Sequence, residues 1–100
     1  MIRHIVFWKL KEPAEGRDKA ASAQQIKERL EALRGRIPGL LHIDVGFDFL
    51  RGDTSCDLAL YSELENREAL DAYQAHPEHQ AVIPLIRALT NERRSVDYEV

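Results

Sequence analysis

The stretch IRHIVFWKL, Ile2–Leu10, constrains the fold more than any other part of the chain. It is rich in β-branched and aromatic side chains and reads as a strand. Alternation puts Ile2, His4, Val6, Trp8 and Leu10 on one face and Arg3, Ile5, Phe7 and Lys9 on the other. A half-solvated strand carries apolar residues on one face only. Here both faces carry them in mid-strand, which predicts burial on both sides.

Pro13 and Gly16 then mark a loop. A long helix is predicted over residues 18–36, because Ala23, Ile26, Leu30, Leu33 and Ile37 recur at alternating spacings of three and four. Gly35 and Pro38-Gly39 stop it. Residues 41–49 give the clearest period-two pattern, a strand with Leu41, Ile43, Val45, Phe47 and Phe49 on its apolar face. A turn at 51–55 and a third strand at 56–63 follow. Asn66 suits the N-cap of a second helix to residue 74, burying Ala69, Leu70 and Tyr73. Pro77 fits the first turn of a short helix, Pro84 forces a break before a further helical piece to residue 91, and residues 95–100 form the last strand.

The order β-α-β-β-α-β is the split βαβ, or ferredoxin-like, arrangement of the α+β class. Its four-stranded antiparallel sheet runs 4-1-3-2, with both helices on one face. The other face is bare, yet the central first strand is apolar there too. In a single domain of 100 residues no further element is left to cover it. The simplest cover is a second copy packed sheet against sheet, so a homodimer is expected.

Hydrophobic residues make up 44% of the chain and charged residues 31%, the balance of a globular domain rather than a disordered one. With a net charge of −3 and no basic block, neither nucleic acid nor an anionic membrane is an expected partner. No apolar run is long enough to span a bilayer, and the N-terminus is strand-like rather than a signal peptide. Cys56 is the lone cysteine, which excludes an internal disulfide and fits a reducing, cytoplasmic setting.

Chemistry concentrates in Tyr73-Gln-Ala-His76-Pro77-Glu-His79, where a phenol and two of the chain's four histidines share seven residues at a helix break. Such groups move protons near neutral pH.

Met1-Ile-x-His4-Ile-Val6, Asp57-Leu-Ala-Leu-Tyr61-Ser62, Tyr73-x-x-His76-Pro77-x-His79 and the final Asp97-Tyr98 together resemble the stress-responsive dimeric α/β-barrel (Dabb) family over essentially the whole chain. The resemblance implies a ferredoxin-like protomer that forms a dimeric α/β barrel. One branch, similar to the plant polyketide cyclase olivetolic acid cyclase, closes a ring by an intramolecular aldol step with a tyrosine and a histidine that match Tyr73 and His79. Its pocket also has a histidine matching His4 and an aspartate matching Asp97. Trp8 departs from that branch, which has a smaller aliphatic residue there.

On this reading Tyr73 and His79 are the catalytic candidates, and His4, Val6, Trp8 and Asp97 line the binding site. A small carbonyl-bearing or aromatic compound would sit between sheet and helices. His79 would remove a proton beside the carbonyl, Tyr73 would donate to the enolate oxygen, and Asp97 or His4 would orient the imidazole. Such a step needs no cofactor.

Each residue also has a plainer role. Tyr73 is then a core aromatic, His76 a helix cap and His4 a buried hydrogen-bonded imidazole. Asp97 needs a partner in either case. Phe7, Trp8, Phe47 and Phe49 read as core and interface, and Arg93-Arg94 as a solvated strand start, with a phosphate site there as the weaker alternative. A metal held by His4, His76, His79 and Asp97 is a weaker alternative, since His-x-x-His alone is no ligand signature. A nucleophile elbow is absent. Two function classes therefore stand side by side: proton-transfer enzyme, or non-catalytic ligand-binding or structural homodimer.

Overall fold

The computed structural model describes residues 1–12 and 18–100, so the loop expected at Pro13 and Gly16 lies outside the described residues. Its elements are β1 (Ile2–Leu10), α1 (Lys19–Glu31), β2 (Leu40–Phe47), β3 (Leu58–Leu64), α2 (Arg67–Ala75), α3 (Pro77–Gln80), α4 (Ile83–Leu89) and β4 (Thr90–Glu99). The sheet order is β2-β3-β1-β4 and every neighbouring pair is antiparallel. This is the ferredoxin-like α+β arrangement, with β1 and β3 central.

Register sorts the sheet into rows. His4 stands opposite Ser62 on β3 and Asp97 on β4, and Ile43 of β2 completes that row. The next inward row holds Val45, Leu60, Val6 and Ser95. These inward β1 residues are buried and share one core with Ile26 and Leu30 of α1, Tyr73 of α2 and Ile86 of α4. The opposite face leaves Phe7, Val96 and Tyr98 exposed.

Several boundaries differ from the sequence reading. α1 ends at Glu31 rather than residue 36, because the chain turns through Gly35 at φ 77°; Leu33 and Ile37 still pack into the core from that turn. β4 begins at Thr90, since α4 runs straight into it, and Arg93 and Arg94 are paired mid-strand with Trp8 and Phe7. In β2 a register shift between Leu40 and His42 turns Leu41 outward, leaving Ile43 and Val45 as its buried pair. Phe47 ends the strand half-exposed and Phe49 lies beyond it, 91% exposed, so neither belongs to the core.

β2 is an edge strand, and α1 covers its outer polar groups. The Val45 N–H donates to Glu31 Oε2 at 2.9 Å, and Lys27 Nζ donates to the Val45 carbonyl at 2.6 Å. These bonds occupy the outward backbone groups of Val45 in mid-edge.

Candidate functional site

The site forms where the His4 row of the sheet meets the α2–α3 break. His4 comes from a buried strand position, and the Ser62 hydroxyl donates to its backbone carbonyl at 2.9 Å. Its Nδ1 is hydrogen-bonded to the Asp97 carboxylate directly opposite. A carboxylate accepts, so Nδ1 carries the proton, and among the described residues Nε2 is the nitrogen left unengaged.

The Asn66 side chain caps α2 by accepting from the Ala69 N–H at 2.8 Å. The helix ends where His76 goes extended ahead of Pro77, whose ring lacks an N–H and suits the first turn of α3. His76 caps that turn, its Nδ1 accepting from the Glu78 N–H at 3.1 Å. The break brings His79 back over α2, where its Nδ1 donates to the Gln74 carbonyl at 3.2 Å. His79 thus repeats the His4 arrangement: Nδ1–H is tied down and Nε2 is unengaged.

Tyr73 packs against both imidazoles. Its ring centroid is 4.5 Å from that of His79 and 6.0 Å from that of His4. The side chain is fully buried and its hydroxyl has no hydrogen-bond partner among the described residues. Burial pushes the phenol well above its usual range, so it stays protonated. Burial also holds His79 below its ordinary value of 6.5, helped by the charges of His4, Arg93 and His76 and opposed by the Gln74 carbonyl. At neutral pH its imidazole is therefore uncharged and basic.

These residues border a partly open cavity of about 440 Å³. Its wall includes His4, Val6, Trp8 and His79, four of the six residues singled out from sequence. Trp8 lines this space rather than filling it, and its buried indole N–H has no partner among the described residues. Tyr73 and Asp97 stand one layer back, each against a wall histidine. Leu60, Gln74, Ile86 and Arg87 complete much of the wall and were not singled out, while Arg93, read from sequence with Arg94 as a strand start or a phosphate site, lines it too. Their only sequence signals were core periodicity or charge, which do not distinguish a wall from a core or a surface. His76 is turned to its cap, and among the described residues no three His, Cys, Asp or Glu side chains are grouped to hold a metal ion.

The architecture and site define a ferredoxin-like domain with an imidazole-bearing cleft between sheet and helices. The chain belongs to the Dabb family, the stress responsive A/B barrel domain, whose model matches residues 2–100. An uncharacterized protein of Streptomyces coelicolor is 33% identical over 87 residues, covering 87% of this chain and 88% of that protein. Two crystal structures share the fold across 99% of this chain, and both are described as dimeric ferredoxin-like proteins of unknown function. The one from Bacteroides fragilis is 33% identical with a TM-score of 0.87, covering 95% of its own length. The one from Thermobifida fusca is 25% identical with a TM-score of 0.84, covering 90% of its own length.

Proposed function

We propose that the cavity binds a small carbonyl-bearing or aromatic compound and that His79 moves a proton on it. The observation that carries this reading is the matched pair of imidazoles on one cavity, each held at Nδ1 and unengaged at Nε2. Nε2 of His79 takes a proton from the carbon beside the carbonyl, and the bonding pair moves toward the carbonyl oxygen. Tyr73, protonated and one layer behind the wall, donates to that oxygen once a ligand parts the two imidazoles and reaches it. His4, oriented by Asp97, borders the same space. Returning the proton at another carbon is an isomerisation; attack of the enolate carbon on a second carbonyl, whose new alkoxide takes the proton back from His79, is a ring closure.

A ligand-detected screen of small aromatic and β-dicarbonyl compounds against wild type and His79→Ala tests this. Hits that disappear in the variant, with its melting temperature unchanged, fit the reading. Silence from both proteins, with a clear loss of stability in His79→Ala, selects the second reading: a non-catalytic ligand-binding or structural protein. The full burial of Tyr73 favours that alternative, since a core aromatic needs no ligand.

We also infer a homodimer built through the open sheet face, closing a barrel between two copies. Exposed Phe7, Val96 and Tyr98 support it, as does the dimeric description of the similar crystal structures. Sedimentation that shows a monomer at micromolar concentration would sink it. The single Cys56 supports a cytoplasmic setting, and no described helix is long and apolar enough to cross a membrane.

A further inference from the structure

Two cations in the cavity wall are left unused by that chemistry. Arg87 lies in the last turn of α4 and Arg93 on β4 directly opposite Trp8; both are exposed, and both border the cavity that holds His79. Neither has a carboxylate partner among the described residues. The Arg87 side chain makes no hydrogen bond or ion pair there, and the Arg93 side chain reaches only the Ser95 hydroxyl at 3.4 Å. Glu92 is the one acidic residue in the wall, and its carboxylate is committed to Arg94 at 2.8 Å and Lys9 at 3.5 Å. By contrast, Arg36 and Arg67 are paired with Glu78 and Glu99. Among the described residues, a chain of net charge −3 thus has two guanidinium groups without a carboxylate partner at the rim of an apolar cleft.

We propose that the ligand of this cavity carries a carboxylate, held at the mouth by Arg87 and Arg93, while its apolar part lies against Val6, Trp8 and Ile86. This rests on the small-ligand reading above and narrows it to oxo-acid anions. The guanidinium fork matches a carboxylate in plane, so two of them favour this anion over a neutral carbonyl compound of equal size. A cation in the last turn also complements the α4 dipole, but that accounts for Arg87 alone and not for Arg93 on a strand. Because the Arg93 charge disfavours protonated His79, an anion seated on Arg93 lets His79 take up a proton more readily. A dipole role would leave His79 unmoved.

The test is a titration of wild type, Arg87→Gln/Arg93→Gln and Arg87→Lys/Arg93→Lys with phenylpyruvate and with phenylacetone, which has a methyl group where the acid has its carboxylate. Affinity is read calorimetrically, and the His79 ring is followed by NMR. Wild type binds phenylpyruvate about tenfold or more tightly than phenylacetone, with a preference that shrinks as salt rises. The glutamine variant loses the preference while still binding phenylacetone, and the lysine variant keeps part of it. With phenylpyruvate bound, the His79 midpoint moves up in wild type and stays put in the glutamine variant. Equal affinity of wild type for both compounds, or a preference unchanged in the glutamine variant, overturns the anion site and leaves the pocket standing. Failure of wild type to bind either compound overturns the pocket reading and this inference together. Both arginines are exposed, and an unchanged circular dichroism melt confirms that the variants are folded.

Discussion

His4 and Asp97 face each other across β1 and β4, and the Asp97 carboxylate accepts the hydrogen bond from His4 Nδ1 while staying 38% exposed beside an imidazole that is 3% exposed. The pair joins the central strand to the edge strand and fixes which ring nitrogen is free. Asp97→Ala removes the acceptor and leaves a buried N–H unmatched, which costs about 1–2 kcal/mol, tempered by the exposure of the carboxylate. Nitrogen-detected NMR should show the His4 ring losing its single Nδ1–H tautomer in the variant. An unchanged tautomer would show that Asp97 does not orient it.

His79 sets a pH dependence with a definite sign. Its folded value lies below 6.5, chiefly through burial, so between that folded value and 6.5 the unfolded chain binds more protons than the folded one. The contribution of this group is fully present above 6.5 and shrinks as pH falls through the window. His79→Gln should flatten the slope of melting temperature against pH just below 6.5. Turnover that uses neutral His79 as the base should fall on the acid side of the same window and hold steady just above it.

Tyr73→Phe separates a donor from a core aromatic. The hydroxyl is buried without a partner among the described residues, so its removal should leave the ligand-free protein unchanged or raise its stability by up to about 1 kcal/mol. If the phenol donates to a ligand, the same variant loses about tenfold in affinity or rate. Tyr73→Ala instead opens a cavity in the core and costs about 3–5 kcal/mol by analogy with other large aromatics. Thermal melts with and without ligand read all three effects.

Gly39 has φ 84°, and a Cβ built on it would lie 2.7 Å from the Ala69 Cβ on α2. Gly35 has φ 77° with open space around it. Gly35→Ala should therefore cost only the left-handed backbone penalty of about 1–2 kcal/mol. Gly39→Ala adds a clash with the helix that carries Tyr73, so urea titration should show it clearly the less stable of the two. Equal midpoints would mean that α2 gives way without cost.

The order of strands and helices, the inward alternation of β1 and the need to cover its outer face all follow from local pattern, because periods of two and of three to four residues say which side of an element is apolar. Caps were equally legible: Asn66 and the His76-Pro77 break act through bonds within a few residues of themselves. Pattern does not report which outward-leaning residue meets a cavity. Arg93 reads as a solvated strand start, yet β4 begins three residues before it and its pairing with Trp8 puts it on the cavity rim. The shift at Leu41 likewise escapes a period-two reading, because an extra residue that turns Leu41 outward, while Ile43 and Val45 keep their inward places, depends on the partner strand. The residue types from which a site could be made were thus set by sequence. Which imidazole nitrogens are free, which tyrosine is buried against both rings and which arginines lack a partner were set only by packing. Those are relations between residues as far apart as His4 and Asp97, and they exist only once the sheet has closed.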